Sequence, residues 1–247
     1  MNIVPLKTTT SALLLASLIA AGPALHADDK VQPVEKPASK KAAVAKDGWS
    51  PLFNGKDLDG WKATEFGGEG DVSFEKGYVV IGQGVDLSGV TSQRKDLPKM
   101  NYEIEFEAQR FNGSDFFVGL TFPVQESHCS LICGGWGGGV TGLSSIDGMD
   151  AVENETTGHF SFTNGEWYKI RLKVTPEKLE AWLDGKSLVD VEMTGQRIDV
   201  RFEMDLCKPL SFASYQSTAY IRNARIRTLP AAEKVKAKAE VTEAAKP

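Results

Sequence analysis

Groups able to do chemistry gather in one stretch of the 247-residue chain, Gly134 to His159, GGWGGGVTGLSSIDGMDAVENETTGH. Asp147, Asp150, Glu153 and Glu155 arrive close together, with Asn154 between the last two and His159 at the end. Their oxygens can bind a hard cation or accept hydrogen bonds from sugar hydroxyls, and an acid of raised pKa can protonate a leaving group. His159 and His128 can each act as a base near neutral pH. The order of ligands and final Glu of an EF-hand loop are absent, as is any HExxH run for zinc. A divalent cation is therefore one expectation for this stretch. Loop-locking hydrogen bonds, with caps from Ser144, Ser145 and Asp147, are the other.

Trp136 stands among five glycines, where a flat ring either lies against a sugar face or plugs the core beneath the loop. Arg110 precedes an Asn112-Gly113 turn, a strand-end position suited to a ligand contact or to the turn itself. No GxSxG elbow and no phosphate-binding glycine loop followed by a helix is present.

The elements that must position these groups read as strands. In Trp167 to Val191, Tyr168, Ile170, Leu172 and Val174 alternate with Lys169, Arg171 and Lys173. Beyond Pro176, Leu179, Ala181 and Leu183 alternate with Glu180 and Trp182, and Asp184-Gly185 suits a tight hairpin. Trp182, on the Glu180 face, either belongs to a ligand surface or covers the acidic strand. Further strands are expected at 74–83, 102–108, 116–122, 128–133, 200–206, 210–214 and 219–229. No interior segment shows a convincing helical stripe. Many short strands between Gly, Pro, Asn and Asp turns predict an all-β sandwich of two antiparallel sheets whose last strands return beside the first.

Glu103, Glu105 and Glu107 share the polar face of one such strand. Paired acids about 5 Å apart serve retaining glycosidases, and i, i+2 spacing gives about 6 to 7 Å between Cα atoms. The stronger expectation is a solvated face neutralised by Lys169, Arg171 and Lys173 or by Arg225 and Arg227. Cys129 and Cys133 would lie about 13 Å apart on one strand face, too far to bond, so three buried thiols or one disulfide through Cys207 are expected.

Residues 1–27 read as an export signal, with Lys7 before an apolar run too short for a confident transmembrane helix. Residues 28–46 form a Lys/Pro/Ala-rich linker, 47–229 one domain, and 230–247 an Ala/Lys/Glu tail with nothing to bury. A periplasmic or secreted location follows, without a transmembrane segment after cleavage. The net charge of −5 and the absence of a basic stripe with interleaved aromatics argue against nucleic acid. An uncharged or weakly charged ligand is easier to reconcile with this balance.

Pro51-Leu-Phe-Asn-Gly-Lys-Asp-Leu-Asp-Gly-Trp61 resembles the opening signature of the 3-keto-disaccharide hydrolase domain family (DUF1080). The resemblance continues through Gly165-Glu-Trp-Tyr168, Ala181-Trp-Leu-Asp-Gly185 and Tyr220-Ile-Arg-Asn-Ala-Arg-Ile-Arg227. It implies a concanavalin A-like jelly roll and an extracytoplasmic hydrolase or lyase acting on 3-keto-glycosides. The alternative is a non-catalytic carbohydrate-binding domain. Asn112 to Leu120 lacks the Arg that many members carry, so no catalytic position transfers from the family. On chemical grounds Asp147, Asp150, Glu153, Glu155 and His159 are the candidates for base and metal ligands, with Glu153, Asp150 and His159 the catalytic candidates and Arg110 the stabiliser of an enolate. Trp136, Asp147, Asn154, Glu155 and Trp182 are candidate ligand-binding groups.

Overall fold

The structure is a computed structural model that describes residues 47–230. The expected export signal, the linker and the tail beyond Pro230 lie outside the described residues. Fifteen strands follow in chain order: β1 (Ser50–Pro51), β2 (Trp61–Ala63), β3 (Val72–Glu75), β4 (Tyr78–Ile81), β5 (Leu87–Ser92), β6 (Tyr102–Gly113), β7 (Val118–Val124) and β8 (Ser127–Gly135). They continue with β9 (Val140–Ser144), β10 (Gly158–His159), β11 (Trp167–Val174), β12 (Lys178–Leu183), β13 (Lys186–Glu192), β14 (Ser211–Tyr215) and β15 (Ser217–Thr228). One 3-10 helix, Phe202–Cys207, lies before β14. No helix among the described residues is long and apolar enough to cross a membrane.

The strands form two antiparallel sheets. The first has the order β13-β12-β11-β6-β15-β4-β3, with β1 also pairing β15; the second runs β10-β9-β8-β7-β14-β5-β2. Their inner faces bury one continuous core, to which Ile104, Phe106, Ile170 and Leu172 come from the first sheet and Leu120, Phe122, Leu131 and Phe212 from the second. This is an open sandwich of the concanavalin A-like jelly-roll kind. The meander β11-β12-β13 forms as its alternation predicts, and Asp184 and Gly185 take the positive φ values of 49° and 80° that a tight hairpin turn requires.

The outer face of the first sheet is a charge ladder. Glu103 accepts hydrogen bonds from Arg171 at 2.9 Å and Arg227 Nε at 2.6 Å, and Glu105 pairs with Lys169 at 3.0 Å and Arg225 at 2.6 Å. Glu107 pairs with Arg222 at 2.6 Å and accepts from Asn223 at 2.8 Å. Aromatic rings cover the cations: Arg222 lies 3.9 Å from the Trp167 ring centroid, and Arg171 lies 4.5 Å from that of Trp182. The three acids are thus committed to cross-strand pairing. The thiols of Cys129, Cys133 and Cys207 are all free and buried, and burial pushes the first two up to about 12.

Two elements differ from expectation. The stretch Val200 to Leu206 alternates like a strand, yet Val200, Met204 and Cys207 are its buried residues, while Phe202 is 80% exposed. The 3-10 turn over Phe202–Cys207 puts Met204 and Cys207, three residues apart, on one face, which a strand cannot. Strand β9, inside the glycine-rich stretch, is buried along its whole length and so shows no alternation.

Partial burial opposes ionisation of Glu105 and Glu107, but hydrogen bonds from Lys169 and Arg225, and from Asn223 and Arg222, outweigh it and hold both below the ordinary range. Their stabilisation is therefore complete above the unfolded carboxylate pKa of about 4.3 and lost as pH falls through the folded values. Thermal unfolding against pH is expected to show a fall in Tm below about pH 4 that is shallower in Glu105→Gln. Glu103, 2% exposed, is held by two guanidinium groups, so Glu103→Ala should cost about 3 kcal/mol in denaturant unfolding.

Candidate functional site

The outer face of the second sheet is built differently. In one lateral row, Thr91, Ser211, Thr121, Ser130 and Ser144 occupy paired positions on β5, β14, β7, β8 and β9, each 2% exposed or less. The next row is Gly89, Ala213, Gly119, Ile132 and Gly142. Its small side chains leave a depression along the sheet. Chain must cover this face wherever it is apolar, and two segments do so.

The first, 145–157, buries Ala151 against Ile132 and Val140. Asn154 locks it: Nδ2 donates to Leu143 O at 2.7 Å and Met149 O at 3.1 Å, while Oδ1 accepts from Thr156 N at 2.9 Å. Its backbone approaches β9 so closely that a Cβ at Gly142 would stand 2.8 Å from Thr156 O. The second segment, 197–209, carries the 3-10 helix and packs Val200, Met204 and Cys207 over Ala213. Backbone bonds join the two segments, from Ser145 N to Asp199 O at 2.8 Å and from Asp147 N to Arg197 O at 2.8 Å. Asp147 Oδ1 accepts from Arg197 N at 2.7 Å.

Between these segments and the 115–136 region a cavity of about 320 Å³ remains open. It is lined by Leu87, Asp115, Phe116, Ile132, Trp136, Ser144, Arg201, Glu203, Met204 and Tyr215. Arg201 is its charged centre. Nε and Nη2 donate to the Glu203 carboxylate at 3.2 and 3.0 Å, and Nη1 donates to Asp150. The other Asp150 oxygen accepts from Ser144 Oγ at 3.2 Å. Two carboxylates around one guanidinium leave a net single negative charge, and the hydrogen bonds from Arg201 hold the Glu203 carboxyl below its ordinary range. Tyr215 also faces the cavity, its ring stacked on Phe116 at 5.9 Å, and a hydrogen bond with Asp86 pushes its phenol up. Both groups therefore border the cavity already partnered, the Glu203 carboxylate by Arg201 and the Tyr215 phenol by Asp86.

Trp136 stands at the cavity with φ of +48° and 42% exposed. Asp115 fixes its loop, accepting from Phe116 N at 2.7 Å and Gly137 N at 2.8 Å. Behind the loop lies Arg110, 6% exposed, which donates to Phe162 O at 2.8 Å, Asn164 Oδ1 at 2.6 Å and Asp115 O at 3.3 Å. Burial lowers its pKa.

Of the residues singled out in the sequence, Trp136 lines the cavity, Asp150 stands behind it through Arg201, and Glu153 is exposed but close enough for its charge to act on Arg201. The others are elsewhere. Arg110 spends its donors on loop carbonyls, and Asp147 and Asn154 hold the covering segment. Glu155 is exposed and accepts from Gln196, and His159 is exposed on β10 opposite Val140. Trp182 lies under Arg171 on the outer face of the other sheet. Arg201, Glu203, Tyr215 and Asp115 join the site without having been singled out. The one signal for the first two is a charged pair at i, i+2 inside an apolar run. Among the described residues no group of three or more His, Cys, Asp or Glu side chains is placed to hold a metal ion. The acids proposed as cation ligands are spread over a loop and paired with Arg201, Arg197 and Gln196 instead.

The chain is thus a concanavalin A-like sandwich with a polar-centred cavity on an outer sheet face. The chain belongs to the family of the 3-keto-alpha-glucoside-1,2-lyase-like domain, which matches residues 48–227. No curated protein matches it in sequence. Among solved structures, the Crh5 transglycosylase in complex with NAG is similar at 11% identity, over 77% of this chain and 87% of that one, with a TM-score of 0.53. SCLam, a non-specific endo-beta-1,3(4)-glucanase of family GH16, is similar at 10% identity over 77% and 95%, with a TM-score of 0.50. A Parabacteroides distasonis protein provisionally named a glycosyl hydrolase shares 20% identity over 77% and 100%, with a TM-score of 0.49. At these identities the likeness is one of fold.

Arg110→Met would leave the Phe162 carbonyl and Asn164 Oδ1 without this donor and the Asp115 carbonyl with Ser217 alone. A loss of about 3 kcal/mol is expected in denaturant unfolding. Hydrogen exchange should become faster at the Gly137 and Gly138 amides, which unfolding energetics alone would not single out.

Proposed function

We propose that the domain is an exported lyase or hydrolase of 3-keto-glycosides that works in the cavity beside Arg201. The observation that carries this reading is Arg201 held between Asp150 and Glu203, with a protonated Tyr215 facing the same cavity, in a chain of the keto-sugar lyase-like family. The export signal read in residues 1–27 supports a periplasmic or secreted location.

A ketone at C3 of a sugar acidifies the C2 proton. Glu203 takes that proton, and the C2–H electron pair becomes the C1–C2 double bond as the C1–O bond breaks. Tyr215 gives its proton to the departing oxygen. Arg201 hydrogen-bonds the C3 oxygen as enolate charge develops there, in a partly water-excluded site where such a donor counts most. Solvent resets Glu203 and Tyr215. The products are a 1,2-unsaturated 3-keto sugar and an alcohol; addition of water, hydroxyl to C1 and hydrogen to C2, completes net hydrolysis. Asp150 keeps the guanidinium oriented and adds the charge that leaves the centre anionic, suited to a neutral substrate.

Incubation of the purified domain with a 3-keto-glucoside, followed by product analysis, tests the reading. Glu203→Gln is expected to lower kcat by about 10²-fold or more, and Tyr215→Phe by about 10-fold or more. Because Arg201 holds the Glu203 carboxyl below its ordinary value, the acid limb of kcat/KM should fall below about pH 4.3. Wild-type rates in Glu203→Gln would remove it as the base. Sugar binding without any product would identify a carbohydrate-binding domain instead.

A further inference from the structure

The cavity is more apolar than a site for two linked sugars requires. Leu87, Phe116, Ile132, Met204 and Trp136 supply most of its wall. Its polar groups are few and largely engaged: both Asp115 oxygens accept backbone N–H groups, and the Ser144 hydroxyl donates to Asp150. What remains around Arg201, Glu203 and Tyr215 can serve one sugar ring. A second ring would carry several hydroxyls against Phe116 and Ile132, where nothing replaces the water they lose.

One exposed ring extends the apolar character. Trp136 projects from a glycine-rich turn closed by Gly138 N donating to Gly135 O at 3.1 Å and pinned by Asp115. It is therefore held in place before any ligand arrives, which lowers the ordering cost of stacking. Phe202, 80% exposed on the neighbouring 3-10 turn, is not part of the cavity lining.

Building on the lyase reading of this cavity, we infer that the leaving group is a flat aromatic alcohol, so that the substrates are aryl glycosides of a 3-keto sugar rather than 3-keto-disaccharides. The sugar ring occupies the Arg201 end, and the aromatic ring lies against Trp136 and the Phe116 to Met204 wall. Trp136 is the specificity-determining residue and takes no part in proton transfer.

Two measurements test this and separate it from the lyase reading. Calorimetric titration of the full-length mature protein with 4-nitrophenyl α-glucoside and with trehalose, neither of which can react, reads binding alone. The aryl glucoside should bind at least 10-fold tighter. Trp136→Ala should remove most of that difference while changing trehalose affinity less than two-fold, and Phe202→Ser, outside the cavity lining, should leave the difference in place. Equal affinities, no binding of either sugar, or a Trp136→Ala variant that weakens both alike would overturn the inference. The second measurement is turnover of the 3-keto forms of both compounds, read through KM because nitrophenol is intrinsically the better leaving group. A lower KM for the aryl substrate that rises in Trp136→Ala is expected, and equal KM values would overturn the inference. If neither is turned over while the aryl preference in binding persists, the lyase reading falls and the aryl specificity stands.

Discussion

The ion pair between Asp150 and Arg201 joins the two pieces of chain that roof the outer face of the second sheet. Asp150 belongs to the segment that follows β9, and Arg201 begins the 3-10 turn before β14. Backbone bonds at Ser145 and Asp199 bring the segments alongside one another, but the guanidinium sets where the second one turns. The guanidinium so placed holds the Glu203 carboxylate at the cavity, while Met204 closes one wall through its packing on Val200, Cys207 and Ala213. The same contact serves as scaffold and as the charged centre of the site.

That roof is needed because the two outer faces obey opposite rules. The first sheet meets solvent through a ladder of Glu, Arg and Lys whose charges cancel across strands and whose aliphatic and guanidinium parts lie on Trp49, Trp167 and Trp182. Such a face needs no cover. The second sheet presents a buried row of hydroxyls beside a row of glycine, alanine and isoleucine. The hydroxyls pair with one another, as Thr121 and Ser130 do at 2.8 Å, or with the roof, as Thr91 does with Leu206 O at 3.2 Å. Small residues in the adjoining row then leave the space that becomes the cavity.

What could be seen in the sequence follows the same division. The meander of β11 to β13 and the neutralised acids of β6 are legible because one face is wet, so polarity alternates and opposite charges occur on neighbouring strands. Strands β5 and β9 have both faces buried, and LSGVTS and VTGLS carry no alternation to find. The candidate site suffers most from this. Val200, Phe202, Met204 and Leu206 imitate a strand, which places Arg201 and Glu203 on its polar face as ordinary surface charges; only the burial of Cys207 with Val200 and Met204 discloses the turn. The dense acids of 147–155 drew notice because they are polar and local. Most of them hold the roof in place, and only Asp150 reaches the charged centre. Trp136 was legible because glycines on both sides leave a large ring without a packing partner.

Removal of the C2 proton beside Arg201 is the central chemical claim, and substitution of deuterium for that hydrogen reaches it directly. Steady-state rates compared for a 3-keto-glycoside carrying hydrogen or deuterium at C2 should differ several-fold in kcat/KM, with the difference confined to the enzyme-catalysed part of the rate. Identical rates for the two substrates, with product still forming, would contradict an elimination begun by proton abstraction at this site.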